Sequence, residues 1–422
     1  MSSSPAQVFA VVCAAENVKN LKSALSERSV FARHIEKVGG DYVLHTTVPW
    51  SNPTPATDAP DSSTSTTKEL PKDLQDLPAP HSITSRKAAA TKQQNAPANP
   101  LTAFLTRFLT LHPSPNDLAT LLKTAPKRCD IYPPLLLLAA SAFSEPEWKR
   151  YIGTHELFLP ELAAALGVSH IARNAPIHAS TVMRSPSGLE FLYPAGYRSP
   201  DSFDSALWVT TTQNGIRQTW APEHTMFSRG NVKEKARVLN FPGIKGQEVV
   251  DLYAGIGYFV FSYVKAGAKR VYGWEINPWS VEALRRGAEM NGWKVRVVKA
   301  GEHWEEVQNG DDVKVVVFEE SNEEAVGRLG DKKVGHVNMG LLPTSKGAYE
   351  VATRLLEEGG FAHVHENIAE DQVEEMKGTI AGEFGKISGR RFECGHVEKV
   401  KTFAPEVWHC VYDVQAVGDG SG

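Results

Sequence analysis

The chain has 422 residues, more than one hydrophobic core ordinarily serves, so two or three folding units are expected. Apolar residues make up 41% and charged residues 22%, which excludes a wholly disordered chain. A formal net charge of -4 excludes a surface that is basic all round, as a histone-like protein would need, and leaves room for a local basic path to nucleic acid.

Residues 5–48 mix short apolar groups with charges, and Val18, Leu21 and Leu25 have the spacing of one helix face, so a small N-terminal α+β module is expected there. Apolar residues 8–15 and 135–140 form runs too short to span a bilayer. Cys13, Cys129, Cys394 and Cys410 have no metal-ligand or redox spacing, which fits a cytoplasmic protein without a metal site. From 49 to 99 the composition shifts to Ser, Thr, Pro, Ala, Asp and Lys, the signature of a disordered linker. Leu101, Phe104, Leu105, Phe108 and Leu109 then recur at helical spacing and open a middle α+β domain over 100–200.

Residues 201–418 form the last unit. Apolar runs at 248–252, 270–274, 295–298, 313–318, 334–339 and 361–364 alternate with helical segments, which predicts an α/β fold with a doubly wound, mostly parallel sheet. Residues 396–403 and 407–414 flank the turn signal Ala404-Pro405-Glu406 and pair as a C-terminal antiparallel hairpin.

The first strand of this unit runs into Asp251-Leu252-Tyr253-Ala254-Gly255-Ile256-Gly257. Two glycines let backbone approach a ligand at the start of a helix. A dinucleotide fingerprint needs a third glycine where Val260 stands, so NAD is disfavoured. Glu275 ends the next strand where doubly wound folds place a carboxylate on ribose hydroxyls, and Glu302 follows the third strand, where it would accept from an adenine amino group. Asn338, Gly340 and Pro343 end a later central strand at the rim where open sheets hold reacting groups; a plain turn capped by Thr344 or Ser345 is the alternative.

These segments, with Met226-Phe227-Ser228-Arg229-Gly230-Asn231-Val232-Lys233-Glu234-Lys235-Ala236-Arg237, resemble the tRNA wybutosine-synthesizing protein 2 family, part of the wider group of tRNA guanosine-37 methyltransferase-like class I folds. The resemblance runs from about residue 131 to the C-terminus and more weakly over 8–48. It implies transfer of the 3-amino-3-carboxypropyl group of S-adenosyl-L-methionine to 4-demethylwyosine, at the guanosine-37 site of tRNA(Phe), with release of methylthioadenosine by a monomer that needs neither membrane nor metal. Asp251, Tyr253, Ala254, Gly255, Gly257, Glu275, Ile276, Asn277, Glu302 and Asn338 are then expected around the cofactor, with Phe227, Ser228, Glu234 and Arg237 walling its amino acid end or the base and Asn338, Pro343 and Arg237 at the reacting centre; the alternatives are that Glu275 or Glu302 is a solvated surface charge and that 231–237 is only a charged helix start.

A sulfonium has three carbons open to displacement, so positioning selects the product. Two departures stand out. The family commonly carries Glu where this chain has Gln213 and Asp where it has Ala221. An amide cannot take a proton at neutral pH, which weighs against the first alternative, guanosine-37 N1-methylation, and motivates the second, a cofactor- or tRNA-binding protein without activity. Isolated histidines such as His224, His363 and His365 read as structural, and Lys149, Arg150, Arg173, Arg229, Lys233 and Lys235 are available for tRNA phosphates.

Overall fold

The computed structural model describes residues 7–28, 30–38, 41–49, 74, 76–77, 81–87, 99–114, 117–174, 188–307 and 310–418. The chain divides into two compact units, Met1–Asn99 and Pro100–Gly422. In the first, β1 (Gln7–Cys13), β2 (Phe31–Val38), β3 (Asp41–Pro49) and β4 (Ser82–Lys87) form an antiparallel sheet in the order β2-β3-β1-β4. Helix α1 (Val18–Glu27) lays Leu21 and Leu25 into a core with Phe9, Val11 and Leu44, the face that the sequence spacing indicated.

Strand β4 falls inside the span read as a linker. It pairs with β1 from Ser82↔Val12 to Lys87↔Gln7, and Leu74 and Leu77 are buried in the same core. The composition concealed it because an edge strand is held by backbone hydrogen bonds and needs few apolar side chains, here Ile83. Apart from the end of β3 and a few residues around Leu74 and His81, the rest of 49–99 lies outside the described residues.

The second unit opens with α2 (Pro100–Leu111), α3 (Leu118–Thr124), β5 (Cys129–Tyr132), β6 (Leu135–Leu138), α4 (Pro146–Thr154), α5 (Phe158–Leu166), β7 (His170–Arg173) and β8 (Glu190–Tyr193). The strands make a mixed sheet in chain order, and the helices enclose Phe108, Trp148 and Phe158. A hairpin of β9 (Val209–Gln213) and β10 (Ile216–Trp220) follows.

Then come α6 (Val232–Val238), β11 (Glu248–Asp251), α7 (Val260–Lys265), β12 (Arg270–Trp274), α8 (Pro278–Met290), β13 (Lys294–Lys299), β14 (Val313–Glu319), α9 (Ala325–Leu329), β15 (Val334–Met339), α10 (Tyr349–Leu355), β16 (Leu356–Ala369), α11 (Glu375–Ser388), β17 (Arg391–Ala404) and β18 (Val407–Val417). Their sheet has the order β13-β14-β12-β11-β15-β16-β18-β17. The first six strands in that order are parallel; β18 returns antiparallel to β16 and β17 closes the hairpin, as the sequence indicated.

Alternate residues feed opposite layers. Val249, Val271, Val315 and Val317 pack with residues of α6, α7 and α8, while Val250, Tyr272, Trp274, Val316 and Phe318 pack with residues of α9, α10 and α11. Continuous apolar runs in the sequence are the signature of strands covered on both faces. Register brings the carboxyl ends level: Asp251 stands opposite Gly273 on one side and Asn338 on the other.

The strand order corrects one expectation. Glu302 is expected at the same rim as Glu275, in reach of an adenine amino group, but β14 lies between β12 and β13, and β13, which precedes Glu302, is the sheet edge. Chain order suggested adjacency; the five-residue, fully buried β12 instead takes the more apolar β14 (Val-Lys-Val-Val-Val-Phe-Glu) beside it and leaves the more polar β13 outside.

Candidate donor site at the carboxyl rim of the sheet

Between β11 and α7 the chain turns through Gly255 (φ 54°) and Gly257 (φ 87°), both in the left-handed region. Side chains there would also collide: a Cβ on Gly257 would lie 2.5 Å from the Phe261 ring and one on Gly255 2.9 Å from Tyr258. Glu275 closes the loop from the next strand. Its Oε2 accepts from the Gly255 N–H at 2.9 Å and its Oε1 from the Asn277 N–H at 2.8 Å. Burial pushes the Glu275 carboxyl up, against the pull of these N–H groups. Asn277 caps α8, its Oδ1 accepting from Trp279 N–H, with Pro278 at the first helical position. Ile276, beside Glu275, is 40% exposed.

Asp251 is fully buried and accepts one hydrogen bond, from Tyr253 N–H at 3.1 Å. Its Oδ2 and the Nδ2 of Asn338, on adjacent strands at the same level, make no close hydrogen bond, although the Asn338 amide pulls the Asp251 carboxyl down against burial. Burial pushes the Asp251 carboxyl up to about 7. A buried carboxylate and amide left only weakly paired at one point of the rim are costly, and a ligand there would offset that cost. Gly340 sits over this point, 3.4 Å from the Asn338 amide to a notional Cβ, and Pro343 follows a cis peptide bond on the exposed side.

Phe227 stacks on Trp220, with ring centres 4.6 Å apart, and meets Tyr132 edge-on. Tyr258, from the glycine loop, donates to the Met226 carbonyl and accepts from Ser228 N–H, so the loop and the segment before α6 are tied together. Beneath them lies Lys235, 2% exposed. Its Nζ lies 4.8 Å from the Phe227 ring centre and 5.0 Å from that of Tyr258, and it donates to Gln213 Oε1 at 3.1 Å and Gln218 Oε1 at 2.8 Å. Burial, helped by the charge of Lys401, brings the Lys235 ammonium down to about 7.

Glu234 and Arg237 face inward. Arg237 holds Glu234 through two hydrogen bonds of 2.8 and 2.7 Å and reaches Asp413 on β18 through two more, of 2.5 and 3.1 Å. His363 Nδ1 joins Asp413 at 2.7 Å, and its other nitrogen meets His336 Nδ1 at 3.1 Å. Despite burial, His363 and Arg237 hold the Asp413 carboxyl well below the usual range, while burial and His363 drop His336 to about 3. A second pair, His365 and His409, meets at 3.0 Å, and His224 stacks on Trp279 with ring centres 3.7 Å apart.

Glu302 is exposed and folded back onto Lys299 N–H at 3.0 Å. The place beside β12 belongs to the end of β14, where Asn322 Nδ2 donates to the Leu252 carbonyl at 2.9 Å, a contact the sequence reading missed for want of the strand order. Of the cations considered for tRNA, Lys235 is internal, because its position on α6 faces the Phe227 and Tyr258 rings, not solvent. Arg150, Arg173, Arg229 and Lys233 each pair with a carboxylate, Asp117, Glu190, Asp130 and Glu398 respectively. Among the described residues no cluster of His, Cys, Asp or Glu is arranged to hold a metal ion, and no helix is long and apolar enough to cross a membrane.

A doubly wound sheet with a two-glycine loop, a carboxylate closing it from the second strand and a buried Asp/Asn pair at the rim defines a class I, S-adenosylmethionine-dependent transferase. Residues 210–383 match the TRM5/TYW2 methyltransferase domain. The chain is 45% identical over 312 residues to tRNA wybutosine-synthesizing protein 2 of Schizosaccharomyces pombe, covering 69% of this chain and 73% of that protein. It is 34% identical over 391 residues to the protein of the same name from Saccharomyces cerevisiae, covering 76% and 81%. Accordingly the chain belongs to the tRNA wybutosine-synthesizing protein 2 family, transferases of tRNA modification. Its fold is similar to the crystal structure of P. horikoshii TYW2 in complex with MeSAdo, with a TM-score of 0.55 at 21% identity over 74% of this chain and 98% of that one. It is also similar to M. jannaschii tRNA m1G37 methyltransferase, with a TM-score of 0.52 at 16% identity over 97% and 100%.

Proposed function

We propose that the chain transfers the 3-amino-3-carboxypropyl group of S-adenosylmethionine to 4-demethylwyosine at position 37 of tRNA(Phe) and releases methylthioadenosine. A carbon of the tricyclic base attacks the terminal methylene of the group. The S–C bond breaks with its electron pair going to sulfur, and the carbon loses its proton. The positive sulfur is a good leaving group, so the protein's work is to aim one of three carbons at the nucleophile.

The observation that carries this reading is the character of the wall formed by Phe227, Ser228 and Lys235. It offers an ammonium held by amide oxygens, whereas the carboxylate of Glu234 is committed to Arg237 and position 213 is an amide. Such a wall suits an amino acid arm with a carboxylate better than a guanine N–H that must be deprotonated. In this reading Glu275 takes the ribose hydroxyls with the lone pairs its two backbone bonds leave free, and Ile276 covers one face of the adenine. Tyr253, Ala254, Gly255 and Gly257 lie along the adenosine, and the end of β14 near Asn322 takes the adenine edge in place of Glu302. Asp251 and Asn338 meet the amino acid end, Pro343 shapes the entry for the base, and Asn277 and Arg237 act by positioning the loop and α6. The proposal includes a monomer acting in the cytoplasm, a compartment that suits four free cysteines.

The test uses donor labelled separately in the methyl and the carboxyl group, with tRNA(Phe) carrying 4-demethylwyosine. Carboxyl label in the RNA and methylthioadenosine in solution are expected. Methyl label in the RNA with adenosylhomocysteine released would establish methylation instead, and tRNA binding with neither label retained would leave a binding protein.

A further inference from the structure

Lys401 lies on β17, the outermost strand of the antiparallel half of the sheet. Its half-buried side chain folds over the segment that precedes α6: Nζ donates to Ser228 Oγ at 3.4 Å, and a Cβ on Gly230 would come within 2.7 Å of Lys401 Cδ. Across the hairpin it stands opposite His409, and its charge adds to burial in depressing both Lys235 and His409, the latter to about 4. Nearby lysines are compensated, Lys399 by Glu370 and Lys233 by Glu398. Among the described residues Lys401 and Lys235 have hydroxyl and amide oxygens as partners and no carboxylate. A half-buried ammonium resting on Ser228, whose charge adds to burial in depressing the buried ammonium of Lys235, makes with it a site that lacks one negative charge.

We propose that Lys401 is a counter-ion of the donor's α-carboxylate, so that the C-terminal hairpin supplies part of the subsite for the amino acid arm. The inference rests on the reading of the rim as the S-adenosylmethionine site and deepens it. The carboxylate belongs to the group that is transferred, so an ammonium fixed to it also fixes the methylene that must face the nucleophile. Ser228, already hydrogen-bonded to Lys401, holds the ammonium in place.

Calorimetry on the full chain separates the possibilities with three ligands: S-adenosylmethionine, S-adenosylhomocysteine, which keeps the carboxylate without the sulfonium charge, and methylthioadenosine, which has no amino acid arm. Lys401→Met is expected to weaken the first two by about 10- to 100-fold, the loss of one charge-assisted hydrogen bond, and to leave methylthioadenosine within about twofold. Lys401→Arg is expected to recover most of the affinity for both. Retained methylthioadenosine binding also reports that the variant is folded. An equal loss for all three ligands would overturn the proposal in favour of a structural role. Unchanged S-adenosylmethionine affinity with weakened tRNA binding would overturn it in favour of a phosphate contact. A native chain that binds neither S-adenosylmethionine nor methylthioadenosine would sink the donor-site reading itself, whereas a native chain that binds both and a Lys401→Met variant indifferent to either would sink the role of Lys401 alone.

Discussion

Gln213 is an amide where the resemblance leads one to expect Glu, and it faces Lys235. With an amide opposite, the ammonium has dipoles but no counter-ion, so nothing offsets burial and the charge of Lys401, which bring it down to about 7. In the unfolded chain it returns to about 10.4. Between those values the unfolded chain binds a proton that the folded chain does not, so stability rises with pH from about 7 to about 10 and is flat below. Gln213→Glu restores a counter-ion, lifts the folded value and should flatten that rise. Melting temperatures of the two proteins across pH 7 to 10 check it; parallel curves would mean that Lys235 titrates normally in the native chain.

At the scale of elements, α6 is short, seven residues from Val232 to Val238, and short helices owe their stability to what they dock against. Arg237 supplies that docking by joining Glu234 within the helix to Asp413 on β18, with His363 behind. Asp413→Asn breaks an ion pair whose side chains are 18% and 13% exposed and should destabilise the chain by about 3 kcal/mol, read as a lower urea midpoint. Because Asp413 is held below its ordinary value, the stability it adds is present above about pH 4 and lost as the pH falls further. The variant should therefore lose less on acidification than the native chain does. β14 belongs to this scale as well. Its continuous apolar run was plain in the sequence, but its place between β12 and β13 was not, because such a run identifies a strand without saying which neighbour it will pair with.

The whole molecule consists of two units with separate cores, Phe9, Leu21, Leu25 and Leu44 in one and the flanks of the eight-stranded sheet in the other. A domain with its own core can fold by itself. A chain beginning at Pro100 should therefore melt cooperatively and bind S-adenosylmethionine within about twofold of the full chain, as calorimetry would show; failure to fold would mean that the first unit completes the second.

The sequence by itself determined the doubly wound sheet, the closing hairpin, the glycine loop with Glu275 and the family, because each depends on local pattern: period, turn residues and short motifs. Tertiary structure alone decided that Lys235 is internal, that Glu234 and Arg237 turn inward to Asp413, that β14 displaces Glu302 from the rim position beside Glu275, and that Lys401 reaches Ser228. Those outcomes rest on contacts between residues as far apart as 237 and 413, and on the competition of neighbouring strands for one place in a sheet, neither of which leaves a trace in the residues nearby.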